Sequence, residues 1–204
     1  MPITTTSVHL ALRPAGLPDE DTWDIRQSEL PDEPDDGKFI VAVDHISLDP
    51  AMRGWLNDVR SYIRPVQVGE VMRANATGTV IASRHPDFQE GQAVAGTFGV
   101  TEHAISDGTG VTVIDTDLAH APTWLGALSI PGFTAYFGLH DVGKLRSGDT
   151  VVISGAAGAV GSVAGQLAKA QGCRVIGIAG GEQKCQWLRE IGFVREGIDI
   201  DADR

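Results

Sequence analysis

The residues with the most specific chemistry form a glycine-rich segment, residues 154–162, which reads SGAAGAVGS. It follows an apolar stretch, residues 150–154, that is typical of a buried strand in a parallel sheet. It precedes apolar residues at helical spacing. A sharp turn from a strand into a helix directs backbone N–H groups and the positive helix end at a bound phosphate. The segment predicts a dinucleotide site, and a tight turn without a ligand is the alternative. Cofactor contacts are predicted at Gly155, Gly158, Ala159, Val160 and Gly161.

Two glycines of this segment have different predicted roles. Gly158 has no side chain that would block the pyrophosphate, and Gly161 lets the helix pack closely on the strand. A nucleoside triphosphatase loop would carry a lysine after its last glycine, whereas Ser162 follows Gly161 here. The sequence therefore argues against triphosphate hydrolysis.

The end of the next predicted strand indicates which dinucleotide binds. An NAD site places an acidic residue there to accept hydrogen bonds from the ribose hydroxyls. Here Gly180 and Gly181 follow the strand, and Lys184 stands where its ammonium group can pair with a 2′-phosphate. We expect Glu182 to face solvent at the start of the following helix. The pattern predicts NADP(H), with an ordinary surface role for Lys184 as the alternative.

The elements around this site indicate two domains of different class. Residues 1–122 contain short β-type runs at residues 39–43, 78–82, 94–100 and 111–114, which is typical of a compact β-rich fold. Residues 123–204 begin with two predicted helices separated by Pro131 and Gly132, and continue as strand, helix, strand, helix. That alternation predicts a parallel α/β sheet, with a third strand at residues 198–200.

Composition limits the partners and the compartment. The 204 residues carry a formal net charge of −11 without a basic stripe, so nucleic acid and anionic membranes are poor partners and a small-molecule substrate is expected. No apolar run is long enough for a membrane span, and the first ten residues lack the features of a signal peptide. Only two cysteines are present, which favours a reducing compartment, and we expect a cytoplasmic protein.

Several separate blocks of the sequence resemble one protein family. The chain is similar to medium-chain reductases of the leukotriene B4 dehydrogenase, prostaglandin reductase and alkenal double-bond reductase group. The blocks that carry this resemblance are residues 48–54, 66–72, 131–139, 152–162 and 180–185. It implies a GroES-like substrate domain followed by a Rossmann domain with a doubly wound parallel sheet. It also implies NADPH-dependent reduction of the C=C bond of α,β-unsaturated aldehydes or ketones.

The resemblance also implies roles for individual residues. Thr134 would lie near the nicotinamide, and Met52 and Arg53 would line the substrate pocket unless they serve only loop packing. It assigns no catalytic residue. Zinc alcohol dehydrogenases share this architecture, but residues 47–49 and 69–71 lack the Cys and His that would hold zinc. The six histidines are scattered along the chain, so no metal site is predicted.

Three departures from the family pattern affect the expected function. Ala51 stands where some relatives carry Tyr, and residues 198–201 lack the Tyr that often ends the third strand. Members of the family are also considerably longer, so we expect an incomplete, C-terminally truncated Rossmann domain. Strand 150–154 would then be an unpaired edge that promotes self-association or a homodimer. The alternative function is a catalytically inactive fragment that retains only partial dinucleotide binding.

Overall fold

The chain divides into two compact units, Met1–Leu125 and Gly126–Arg204. The structure is a computed structural model, and it describes residues 1–61 and 63–194 and the backbone of residues 198–199. The division lies close to the predicted boundary after residue 122, and the separate roles of the two parts stay a prediction. In the described part of the chain, no helix has both the length and the apolar character needed to cross a membrane.

The first unit is built from antiparallel strands. Its hairpin pairs β1 (Ile3–Leu10) with β2 (Trp23–Leu30). The other strands form a five-stranded sheet in the order β6-β3-β4-β5-β7. These five strands are β3 (Phe39–Ile46), β4 (Asn75–Ser83), β5 (Ala93–Thr97), β6 (His103–Ser106) and β7 (Thr112–Val113). The sequence did not predict β1, β2 or β6, and it extended β5 too far, to residue 100.

Two apolar clusters hold this unit together. The larger cluster fills one face of the five-stranded sheet, where Phe39 stacks on Phe88 with ring centroids 4.4 Å apart. The smaller one lies under the helix α1 (Ala51–Trp55) and joins Leu10, Leu56, Val66 and Met72. The only other helical segments of the unit are two short 3-10 turns, Glu20–Thr22 and Ala121–Leu125, among the residues described.

The second unit alternates helices with parallel strands, as predicted. Its sheet has the order β10-β9-β8, and all its pairings are parallel. The strands are β8 (Thr150–Ser154), β9 (Arg174–Ala179) and β10 (Ile198–Asp199), and the helices are α2 (Ile130–Phe137), α3 (Ala159–Ala170) and α4 (Glu182–Glu190). The third strand is therefore present at residues 198–199, while residues 200 and 201 of the prediction lie outside the described residues.

Two details of this unit differ from the sequence-based expectation. Pro131 does not separate two helices. It stands in the first turn of α2, where a missing N–H costs no hydrogen bond, and α2 continues into a π-helical turn, Gly138–Val142. Strand β8 is also not buried on both faces, because Val152 keeps 59% of its surface exposed. In the described part of the chain β8 pairs only with β9, and Thr150 and Ser154, on the same face as Val152, are exposed as well.

Phe193 fills the space that two glycines leave between α3 and the sheet. A Cβ atom on Gly165 of α3 would overlap the Phe193 ring, and one on Gly177 of β9 would lie 2.8 Å from its Cδ1. Phe193 is 5% exposed and belongs to the core of the second unit. The ring therefore has little room to move away from an added methyl group.

Gly165→Ala is accordingly expected to destabilise the protein by about 1–3 kcal/mol, although alanine is the better helix former. The measurement is urea unfolding followed by circular dichroism. Gln166→Ala is the matched control, since Gln166 is the exposed next residue of α3 and should change stability by less than about 0.5 kcal/mol. A Gly165→Ala protein as stable as the wild type would contradict the described packing of Phe193.

Candidate dinucleotide site

The glycine-rich segment forms a tight turn between β8 and α3. Gly155 adopts φ +61°, a left-handed conformation that favours glycine. The Gly158 N–H donates to the Gly155 carbonyl oxygen at 2.9 Å and closes the turn. The Ala156 N–H donates to the Ile178 carbonyl oxygen at 3.0 Å and ties the turn to β9. The turn is thus fixed by its own backbone, and the Gly158 N–H is already used within it.

Gly161 is where the helix approaches the turn most closely. A Cβ atom at this position would lie 2.5 Å from the Gly155 carbonyl oxygen and 2.8 Å from the Ala156 Cα. Both neighbours are backbone atoms, so no side-chain rotation can relieve the contact. Gly158 is less restricted, because its Cβ would meet only the Gly155 oxygen, at 3.1 Å. Packing in the structure therefore requires glycine at position 161. Packing restricts position 158 less, so ligand access stays the predicted reason for glycine there.

The first turn of α3 presents unused hydrogen-bond donors. Gly158 is the N-cap and supplies no side chain, and the first helical bond runs from the Ser162 N–H to the Gly158 carbonyl oxygen at 2.9 Å. Within the described residues, the N–H groups of Ala159, Val160 and Gly161 have no acceptor. Ala159 and Val160 are exposed to solvent. These donors and the positive helix end suit a pyrophosphate.

The start of α4 offers a second position for an anion. Gly181 is the N-cap with φ +85°, and it provides no side-chain cap. Lys184 lies in the first helical turn, is exposed, and makes no ion pair with any residue that the structure describes. Glu182 is also exposed, and its Oε1 accepts a hydrogen bond from the Arg189 Nη2 at 2.5 Å. The end of β9 itself carries no carboxylate, because Gly180 and Gly181 follow it.

Thr134 occupies an exposed position on α2. Its hydroxyl donates to the Ile130 carbonyl oxygen at 2.7 Å, one helical turn earlier. The proton of this hydroxyl is therefore engaged within the helix, and the oxygen lone pairs stay available to accept. The expected contact with a nicotinamide stays a prediction.

Arg53 and Met52, the two residues assigned to the substrate pocket, have different surroundings. The Arg53 guanidinium donates to the Pro14 carbonyl oxygen at 3.1 Å, the Gly16 carbonyl oxygen at 2.8 Å and the Asn57 Oδ1 at 2.8 Å. These contacts fit the alternative interpretation, loop packing. Met52 is half-buried beside the cluster under α1. Sequence reasoning missed Arg13, whose Nη1 donates to the Leu56 carbonyl oxygen at 2.6 Å and helps to hold the same helix.

The positions that hold zinc in zinc alcohol dehydrogenases have structural partners here. Glu70 accepts from the Gln67 N–H at 2.9 Å and from the Arg64 guanidinium at 2.7 Å. The Gln67 N–H and the Arg64 guanidinium together hold the pKa of Glu70 below its usual value. Ser47 donates to Asp49 at 2.8 Å. Among residues 1–61 and 63–194, no three His, Cys, Asp or Glu side chains are grouped as a metal site would require.

We therefore expect the purified, untagged protein to contain well under one zinc per chain. The reason is chemical: zinc sites in proteins need three or four thiolate, imidazole or carboxylate ligands that converge on one point. Inductively coupled plasma mass spectrometry of protein dialysed without chelator measures the metal content directly. Zinc at one equivalent per chain that survives this dialysis would contradict the prediction.

Comparison with known proteins places this arrangement in a family. Residues 6–114 match the family described as the N-terminal domain of oxidoreductase. The NADPH-dependent curcumin reductase of Escherichia coli is 40% identical over 195 residues, which cover 95% of this chain and 56% of that protein. Mouse prostaglandin reductase 1 is 36% identical over 181 residues, covering 87% of this chain and 53% of that protein.

A solved structure extends the agreement to both units. The crystal structure of CurA from Vibrio vulnificus in complex with NADPH is 42% identical, with a TM-score of 0.88, and the match covers 97% of this chain and 58% of that one. The chain thus spans just over half the length of the relatives it matches. The predicted fold class, a GroES-like domain followed by a Rossmann domain, is confirmed. The chain belongs to the medium-chain dehydrogenase/reductase family, in the group of the leukotriene B4 dehydrogenases and prostaglandin reductases.

Proposed function

We propose that this chain belongs to an oxidoreductase that uses NADPH to reduce the C=C bond of α,β-unsaturated aldehydes or ketones. One observation carries the proposal: among the described residues, the turn at residues 155–161 leaves three backbone donors without an acceptor at a helix start, and Lys184, in the first turn of the helix after the next strand, makes no ion pair. The names of the relatives support it, since the Escherichia coli enzyme is an NADPH-dependent reductase and the Vibrio structure contains NADPH. The substrate class follows from the family resemblance.

The residues that would hold the cofactor fit its phosphates. In this proposal Gly155 and Gly158 shape the turn, and Ala159, Val160 and Gly161 donate their N–H groups to the pyrophosphate. Lys184 binds the 2′-phosphate, and Thr134 lies on the nicotinamide side. Bound NADPH supplies the hydride that the reduction requires. The chain's own residues bind and orient the cofactor, and none is assigned as proton donor.

The remaining features of the proposed enzyme follow from the sequence. We propose a zinc-independent, cytoplasmic enzyme with a small-molecule substrate. Neither nucleic acid nor a membrane is expected as a partner, because the net charge is −11 and no basic stripe is present.

The second candidate is a catalytically inactive fragment that binds only part of the dinucleotide. The observation that favours it is the sheet itself, which has three strands, β8 to β10, in the part of the chain that the structure describes. A doubly wound sheet binds its cofactor across both halves. The two candidates share the adenosine half of the site and differ in whether the nicotinamide is held for reaction.

Lys184→Ala is expected to weaken NADPH binding and to leave NADH binding nearly unchanged. A charge-assisted contact of this kind contributes about 1.5–3 kcal/mol, which corresponds to a loss of about tenfold to a hundredfold in affinity. The measurement is isothermal titration calorimetry with each cofactor. Lys169→Ala is the control, because Lys169 is an exposed lysine in the last turn of α3, at the opposite end from the glycine turn. An equal loss for NADPH and NADH would place Lys184 elsewhere.

A further inference from the structure

The start of α4 carries one charge that opposes the proposed cofactor. Glu182 is the acidic residue of the first turn of this helix, two positions before Lys184. A carboxylate at the start of a helix is favoured by the helix dipole when no ligand is present. A 2′-phosphate bound there would instead be repelled by it, since like charges at short range disfavour each other. Selectivity for NADPH therefore requires that this carboxylate be neutralised or held aside.

Arg189 meets both requirements. Its Nη2 lies 2.5 Å from the Glu182 Oε1, and the two side chains are 33% and 77% exposed respectively. Arg189 follows Glu182 by seven residues, so its backbone lies about 10 Å further along the helix axis. Residues seven apart lie on the same face of an α-helix, so the ion pair holds the carboxylate along that face. A carboxylate held in this ion pair is not free to turn toward a ligand at the first turn, where Lys184 lies.

We propose that Arg189 is a positioning residue for cofactor selectivity, which binds Glu182 and so keeps the start of α4 open to the 2′-phosphate. This inference rests on the proposed binding of NADPH and adds a residue that the sequence pattern did not indicate. Without Arg189, Glu182 is free to return to the helix start. There its charge opposes a bound 2′-phosphate.

The test compares two ligands that differ only in the 2′-phosphate, namely 2′,5′-ADP and 5′-AMP, by calorimetry on the whole chain. Arg189→Gln is expected to weaken 2′,5′-ADP about two- to fivefold, the range for an exposed ion pair, and to leave 5′-AMP unchanged. Glu182→Gln should bind 2′,5′-ADP at least as tightly as the wild type. The double variant should match Glu182→Gln, because Arg189 acts only through that carboxylate.

The controls separate this inference from the proposed function. Glu190→Gln changes another carboxylate of α4, which accepts from Gln186 at 3.1 Å, and it should alter neither affinity. A wild type that does not prefer 2′,5′-ADP to 5′-AMP would overturn the proposed NADPH site and this inference with it. A wild type with that preference, combined with an Arg189→Gln loss that persists in the Glu182→Gln background or affects both ligands equally, would overturn the role of Arg189 alone.

Discussion

Replacing Gly161 with alanine is expected to destabilise the second unit by about 3 kcal/mol, the upper end of the range for an overpacked site. The added Cβ would lie 2.5 Å from the Gly155 carbonyl oxygen and 2.8 Å from the Ala156 Cα. Because both are backbone atoms, α3 must move away from the turn. The donors of Ala159 and Val160 would move with it. Loss of two hydrogen bonds to a charged phosphate, at about 1.5–3 kcal/mol each, should lower NADPH affinity by about a hundredfold or more.

Gly158→Ala provides the matched comparison. Its backbone has φ −82°, which alanine adopts readily, and its Cβ would meet only one atom, at 3.1 Å. We expect little change in stability but a large loss of NADPH affinity, because in the proposed site the phosphates approach the backbone at Gly158 and an added methyl group would block them. Urea unfolding and calorimetry on both variants measure the two effects. If Gly161→Ala unfolds like the wild type, or Gly158→Ala binds NADPH normally, the assignment of the two glycines is wrong.

The second large effect concerns catalysis by the 204-residue chain itself. We expect it to reduce a straight-chain aliphatic enone at least about a thousandfold more slowly than a full-length relative. The cofactor of a doubly wound sheet lies across both halves, and the described residues supply three strands of one half. Without the other half the nicotinamide is not held within about 3–3.5 Å of the substrate, and most of the advantage of proximity is lost.

The same sheet predicts self-association. Strand β8 has no charged residue or proline, and within the described residues one of its edges is unpaired. Exposed apolar edges of this kind pair with other chains. Three aromatic residues of α2 also have at least half of their surface exposed: Phe133 at 57%, Tyr136 at 50% and Phe137 at 53%. Val152→Lys, which places a charge on the exposed face of β8, should reduce the association.

The loss of NADPH absorbance follows the reaction, and light scattering on the same sample follows the association. The Escherichia coli curcumin reductase serves as the full-length comparison. A monodisperse monomer with a comparable turnover rate would contradict both expectations.

The sequence was most informative where local signals determine the structure. The glycine turn, α3 and β9 were predicted because a positive φ, helical spacing and a run of β-branched residues each leave a local pattern. Gly161 was assigned to close packing, and the structure gives the same reason. Lys184 in the first turn of α4 was also visible, and the absence of an acidic residue directly at the end of β9 can be read from residues 179–181.

Features that depend on distant partners were not predictable. Strand β2 is mostly exposed along its length, so its sequence shows no alternation, and only its pairing with β1 defines it. Arg13 and Arg53 bind backbone carbonyl groups about 40 residues away in sequence, and carbonyl acceptors carry no sequence signature. The ion pair of Glu182 and Arg189 likewise spans two helical turns. Their spacing in the sequence alone did not show whether the two side chains pair or simply face solvent.

The most direct test of the dinucleotide site is an amide NMR titration of the isotope-labelled chain with 2′,5′-ADP. We predict saturable shifts that concentrate at the amides of Ala159, Val160 and Gly161 and at Lys184, because these groups meet the two phosphates. The same titration with 5′-AMP should move the first three amides and leave Lys184 nearly unchanged. Shifts confined to other parts of the chain, or no saturable shift at the glycine turn, would contradict the proposed site.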